Sequence, residues 1–242
     1  MKKWIAMLSF YILVACTNNE PAIVKTESPP DDSSREPELV EEVSGSEDDV
    51  EEFIEFPLHD EQIRINLEMV PILDAYLLAA KDRQKAIEGM KIERIQAENA
   101  SIYLLEFSCQ NERCSYLLFN RDAADQAFLL ADLADAADMI PSPDQTKMLF
   151  LFDRKGSLPL PFTNIVIIDL EKWDHLTLVN ETTDDAVLNF TWPLISVNWI
   201  DNESIAAEKP AVLEPTDEAI HEWYQANQSL TTSIILHVSE NN

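Results

Sequence analysis

Three cysteines and four histidines are the residues of this 242-residue chain whose types suit disulfide exchange, soft-metal binding or proton transfer near neutral pH. Cys109 and Cys114 bracket the stretch CQNERC, which lies between two apolar runs, SIYLLEF and SYLLFN. A short polar loop between strand-like runs makes a hairpin whose end positions face each other. In an oxidising compartment such a pair closes as a disulfide; the alternative is two reduced thiols whose geometry does not suit bridging. A metal site is not expected, because CQNERC has no second cysteine pair and the histidines are scattered at 59, 175, 221 and 237. His59 and Asp60, Asp174 and His175, and His221 and Glu222 are adjacent in sequence. Neighbours on a strand point to opposite faces, so these read as solvated polar pairs rather than acid–base couples. With three glycines in the whole chain there is no phosphate-cradling loop, dinucleotide fingerprint or nucleophile elbow. No catalytic residue, cofactor or metal ligand is assigned.

The third cysteine, Cys16, has a different setting. Lys2 and Lys3 precede an uncharged run from Trp4 to Ala15, and the polar TNNE follows the cysteine at once. The run is too short to cross a hydrocarbon layer of about 30 Å and fits a secretory signal peptide. LVAC, with Leu13 three before the cysteine and Ala15 just before it, resembles the lipobox of bacterial lipoproteins. That resemblance implies that residues 1–16 are a signal peptide ending in a lipidated cysteine. The Cys16 thiol would carry a diacylglyceryl group with palmitate-type chains and hold the protein on the outer face of the cell membrane. Two acyl chains anchor stably where one binds marginally. A simple signal peptide with an incidental Cys16 is the competing reading.

Residues 17–56 hold fourteen Asp and Glu against Lys25 and Arg35, with four prolines. This composition predicts an acidic disordered tether, a solvated spacer rather than a cation site, since it lacks a calcium-loop pattern. Residues 57–242 are long enough for a single globular domain. The whole chain carries −28, which disfavours nucleic acid and anionic lipid surfaces as partners.

Within 57–242, a helical segment over 70–90 is predicted from Pro71 in a first turn and from Leu73, Tyr76, Leu77, Ala80, Ile87 and Met90, as one helix or two broken near Asp82. From 91 to 238 the pattern turns to short β-rich runs with polar turns, which predicts a mainly β, antiparallel meander. A short late helix, TDEAIHEWYQANQ, has Thr216 as N-cap and Ile220, Trp223 and Tyr224 on one face. PSPDQTKMLFLFDR resembles the strand–turn–strand motif of Tol-B-type propeller repeats, with Ser142, Pro143 and Asp144 matching and Gln145 where that motif has glycine. VNWIDNESIAAE, with Trp199 before the turn, is a weaker copy. The resemblance implies propeller-like blades, about three of them, in an incomplete or open propeller; QIRINLEM could add a fragment of a fourth.

Three functions fit these features. The leading one is a non-enzymatic interaction or structural module of a bacterial envelope, anchored to the membrane and facing an envelope-protein or cell-wall partner. The others are an extracytoplasmic hydrolase assembled from distant loops, and a ligand-binding lipoprotein of a transport system. The last is disfavoured because alternating helices and parallel strands are absent from the pattern.

Overall fold

The computed structural model describes residues 21–26, 35–43, 50–96, 101–122, 127–156, 158–180, 187–189, 192–226 and 230–239. Cys16 and the signal-like run lie outside them. Among these described residues, fourteen strands and three α-helices follow in chain order: β1 (Ile23–Thr26), β2 (Glu38–Val43), β3 (Val50–Pro57), β4 (Gln62–Asn66), α1 (Pro71–Ala79), α2 (Arg83–Glu88), β5 (Lys91–Ile95), β6 (Ile102–Gln110), β7 (Arg113–Asn120), β8 (Ala127–Pro141), β9 (Lys147–Arg154), β10 (Phe162–Asp169), β11 (Asp174–Asn180), β12 (Ser196–Trp199), β13 (Ser204–Pro210), α3 (Asp217–Gln225) and β14 (Thr231–Ser239). The protein is mainly β, and every strand pairing is antiparallel.

Hydrogen bonding gives a four-stranded sheet, β1-β4-β3-β2, and a ten-stranded sheet running from β12 to β5. The long sheet folds back on itself because two strands are shared. The first half of β8 pairs with β7 and the second half with β9, with Leu133 in the left-handed region (φ 49°) at the changeover. Likewise β11 starts on β10 and ends on β14. The result is four layers: the small sheet; β5-β6-β7-β8; β8-β9-β10-β11; and β11-β14-β13-β12.

Three apolar cores separate them. Tyr103, Leu105, Leu117 and Phe119 face layer one and the helices, whereas Ile102, Leu104, Tyr116 and Leu118 face layer three. On β9, Phe150 and Phe152 face layer two, and Leu149 and Leu151 face layer four with Ile205 and Leu236. Strands buried on both faces read as unbroken apolar runs, which is why YLLEF and MLFLF look as they do. Among the described residues no core joins layer one to layer four, and the strands do not close into a propeller barrel.

The spacer expected over 17–56 is corrected at its described residues, which supply β1, β2 and β3 of layer one; the domain therefore does not begin at Pro57. Ala22, Ile23, Ile54 and Phe56 are buried, and Leu39 packs against the same core. Averaging charge over forty residues hides this period-two alternation, in which Glu41 and Glu52 stay in phase with Leu39 and Ile54 while Glu42, Glu51, Phe53 and Glu55 take the opposite face. There Arg64 pairs with Glu42 and Glu55 and lies 4.2 Å over the Phe53 ring. QIRINLEM likewise belongs to layer one, where β4 sits between β1 and β3.

The helical segment is two short helices. Pro71 opens α1, and the Asp82 side chain caps α2 by accepting from Lys85 N–H. In α3, Thr216 accepts from Ala219 N–H and Ile220 and Trp223 are buried, but Tyr224 is exposed, because the apolar stripe is only two residues wide. Among the described residues no helix is long and apolar enough to cross a membrane.

Candidate functional site

The β3–β4, β8–β9 and β12–β13 turns and the end of β5 lie at one rim of the layers, and each junction between layers ends there differently. The β3–β4 turn, closed by Leu58 N–H to the Glu61 carbonyl, sets Glu61 in phase with the inward-facing Ile63 and Ile65. Its carboxylate is 4 % exposed. It accepts from the Tyr103 hydroxyl at 3.0 Å and meets Lys25 Nζ at 2.9 Å and Arg94 Nη1 at 3.9 Å. Burial pushes the Glu61 carboxyl up, but the bonds from Lys25 and Tyr103 and the nearby cations outweigh it and hold it below the usual value. Burial, and then the Glu61 carboxylate, push the Tyr103 phenol up to about 12. The cluster therefore stays ionised at Glu61 and neutral at Tyr103, a polar lock between layers one and two.

The junction of layers three and four is closed by hydrogen bonds. Trp199 Nε1–H donates to the Ile140 carbonyl at 3.0 Å, and Asp144 N–H donates to Asn202 Oδ1 at 3.1 Å. The Ser142–Lys147 turn is itself well braced. Asp144 accepts from the Ser142 and Thr146 hydroxyls and from Thr146 N–H, and Ser142 Oγ accepts from Lys147 N–H. The Ser142 hydroxyl, above all, holds the Asp144 carboxyl below its usual range. Gln145 sits at φ 59°, the left-handed conformation that favours glycine.

Between layers two and three the rim stays open. A groove of about 880 Å³ lies between the end of β5 and the β8–β9 turn, bounded by Glu93, Arg94, Ile95 and Gln96 on one side and by Met139, Met148 and the Pro141–Gln145 turn on the other. Such a volume suits a ligand or a short peptide segment. β5 is also the last strand of the ten-stranded sheet, so no described strand pairs with its outer edge.

Of the residues singled out from sequence, Ser142, Pro143 and Gln145 line this groove, whereas the cysteines and histidines fall elsewhere. Cys109 and Cys114 are joined in a disulfide with a Cα separation of 4.0 Å. They flank Asn111 and Glu112, both at positive φ, as a two-residue hairpin turn requires, at the far end of β6 from the groove. Glu106 lies beside the two sulfurs, which are spent in the bridge rather than offered as thiolates. His59 and Asp60 are almost wholly exposed. His175 stands edge-on to Phe128, with ring centroids 4.8 Å apart, and burial pushes its imidazole down. His221 Nδ1 lies 2.7 Å from the Asp217 carbonyl, within α3.

Sequence reasoning missed two groupings. Lys209, 4 % exposed, lies 3.2 Å from the centre of the Trp192 ring. Ser204 Oγ lies 3.2 Å from His237 Nδ1, its cross-strand neighbour, and Asp201 accepts from the Ser204 hydroxyl. In acyl-transfer triads the acid orients the imidazole. Here the acid holds the serine, so the trio fastens the β12–β13 turn. No local sequence signal marks either grouping, since each joins residues from separate strands or loops. Comparison of the chain with protein-family models, with curated proteins and with solved structures finds no match to any of them.

Proposed function

We propose that the chain is a lipid-anchored interaction module on the extracytoplasmic face of a bacterial membrane, with a stack of propeller-like layers as its scaffold. The observation that carries the interaction role is the open groove between layers two and three, beside a free sheet edge, where the adjoining junctions are locked. The anchor rests on LVAC and the uncharged run before it. Its partner is a protein or wall component of the envelope.

The position of β1 changes how such an anchor would work. From Cys16 to Ile23 the chain makes seven steps, about 25 Å fully extended. Ile23 is buried in the core of layer one, so the domain would sit close to the membrane rather than at the end of a long spacer.

Cell fractionation of the Cys16→Ser protein tests the anchor. The expected result is unprocessed precursor or protein shed into the medium. Mature Cys16→Ser protein that stays membrane-bound through high salt and leaves only with detergent would overturn it.

A further inference from the structure

We infer that the groove beside β5 takes an extended, basic peptide, which adds as a new strand to the outer edge of β5. This deepens the interaction role and is independent of the membrane anchor.

Three observations converge. β5 ends the ten-stranded sheet, so its outward backbone N–H and C=O groups have no strand partner among the described residues. An added strand satisfies such groups in register, giving affinity from main-chain bonds and selectivity from alternate side chains. The opposite wall is mixed: Met139, Pro141, Pro143 and Met148 offer apolar surface to the space that such a strand would occupy, beside Ser142 and Gln145. Methionines re-pack around varied side chains, and prolines offer apolar surface without backbone donors of their own.

Register then sets the preferred sequence. Glu93 pairs with Leu104 and Ile95 with Ile102, and both of those partners belong to the core shared with layer three, so Glu93 and Ile95 lie on the groove side. Arg94 reaches Glu61 at 3.9 Å and also lines the groove. β5 therefore lines it with one carboxylate, Glu93, and one guanidinium, Arg94. The surplus of negative charge comes from the surroundings: Asp144 stands between the lining residues Pro143 and Gln145, and the hydroxyls of Ser142 and Thr146 favour its ionised form. The chain as a whole carries 45 acidic residues against 17 basic ones. An acidic peptide is repelled during approach and on contact, while a basic one is steered in. Alternation of a strand's side chains completes the pattern: apolar residues against Met139 and Met148, with lysine or arginine meeting Glu93 and the acidic surroundings.

The opposite sheet edge, β12, is less suitable. It is four residues long and bounds no described groove.

The test is fluorescence anisotropy of the full chain in detergent with a labelled ten-residue peptide of alternating valine and lysine. Two comparison peptides carry glutamate for lysine, or N-methyl groups on every amide. The expected result is saturable binding of the valine–lysine peptide that weakens at least about tenfold for each comparison peptide. Binding should fall by a similar factor in Glu93→Lys/Pro143→Lys, and stay unchanged in Glu218→Lys on α3, with all three proteins melting alike. Absence of binding up to about 1 mM, equal affinity for the N-methylated peptide, or full binding by the double variant would overturn the inference. Binding by a chain whose Cys16 proves dispensable for membrane retention would keep the groove and remove the anchor; the reverse pair of results would do the opposite.

Discussion

The junction between layers one and two and the junction between layers two and three lie over cores of the same kind, yet they finish differently at the rim. The first ends in Glu61, held by Tyr103, Lys25 and Arg94. The second ends in a groove of about 880 Å³. Packing beneath the groove is not deficient: Leu104, Leu118, Phe150 and Phe152 are 4 % exposed or less. What differs is the turn residue. Glu61 reaches across to the next layer, whereas Asp144 bends back onto its own turn and leaves its backbone N–H to Asn202 on the opposite side. A rim carboxylate closes a junction only when the facing layer offers donors in phase with it.

The lock should therefore matter most to stability. Glu61→Ala leaves Lys25 and the Tyr103 hydroxyl without their buried partner, and should cost about 3 kcal/mol, on the order of 10 °C in the midpoint measured by calorimetry. A change of only a degree or two would mean the first junction is as loose as the second. The same lock has a pH signature. Glu61 and Glu52 are both held below the ordinary carboxylate value of 4.5, Glu52 chiefly by its hydrogen bonds from Arg83. Their contribution is complete above that value and is lost as pH falls through the lower folded-state values, because the unfolded chain takes up the protons first.

The disulfide lies at the other end of layer two. Replacing Cys109 and Cys114 together by serine removes a constraint on a loop of about six residues, and should lower stability by about 2 kcal/mol on the loop-entropy relation. Denaturant titration measures it. The rim groove should be unaffected; weakened peptide binding in this variant would show that the two ends of layer two are coupled.

Gln145→Gly relieves a left-handed backbone position at the groove, and should raise stability by about 1 kcal/mol. A loss instead would show that the Gln145 side chain braces the turn. The smallest effect concerns His175, whose imidazole is pushed down by burial beside Phe128. Its contribution is full above the ordinary value of 6.5 and fades as pH drops through the lower folded-state value. His175→Phe should flatten the stability profile just below 6.5 and leave the carboxylate-dependent decline below 4.5 in place.

Legibility in the sequence followed the range of the interactions. The hairpin of Cys109 and Cys114, the caps at Asp82 and Thr216, and the SPDQ turn are settled by residues a few positions apart, and each can be read locally. The apolar runs YLLEF and MLFLF announce strands covered on both faces. Layer one was obscured because three of the eight residues of VEEFIEFP are acids, so composition argued for disorder while the alternation in FIEF argued for a strand. The Glu61–Tyr103 bond joins residues 42 positions apart, and the groove exists only once layers two and three are stacked. Neither leaves a local trace.

The most direct measurement is amide hydrogen exchange of the full chain with and without the valine–lysine peptide. Bound peptide should slow exchange at 91–96 and 139–145 and leave β12 and α3 unchanged. Protection at β12 or α3 instead, or no protection at β5 under saturating peptide, would contradict the assignment of the open junction as the binding edge.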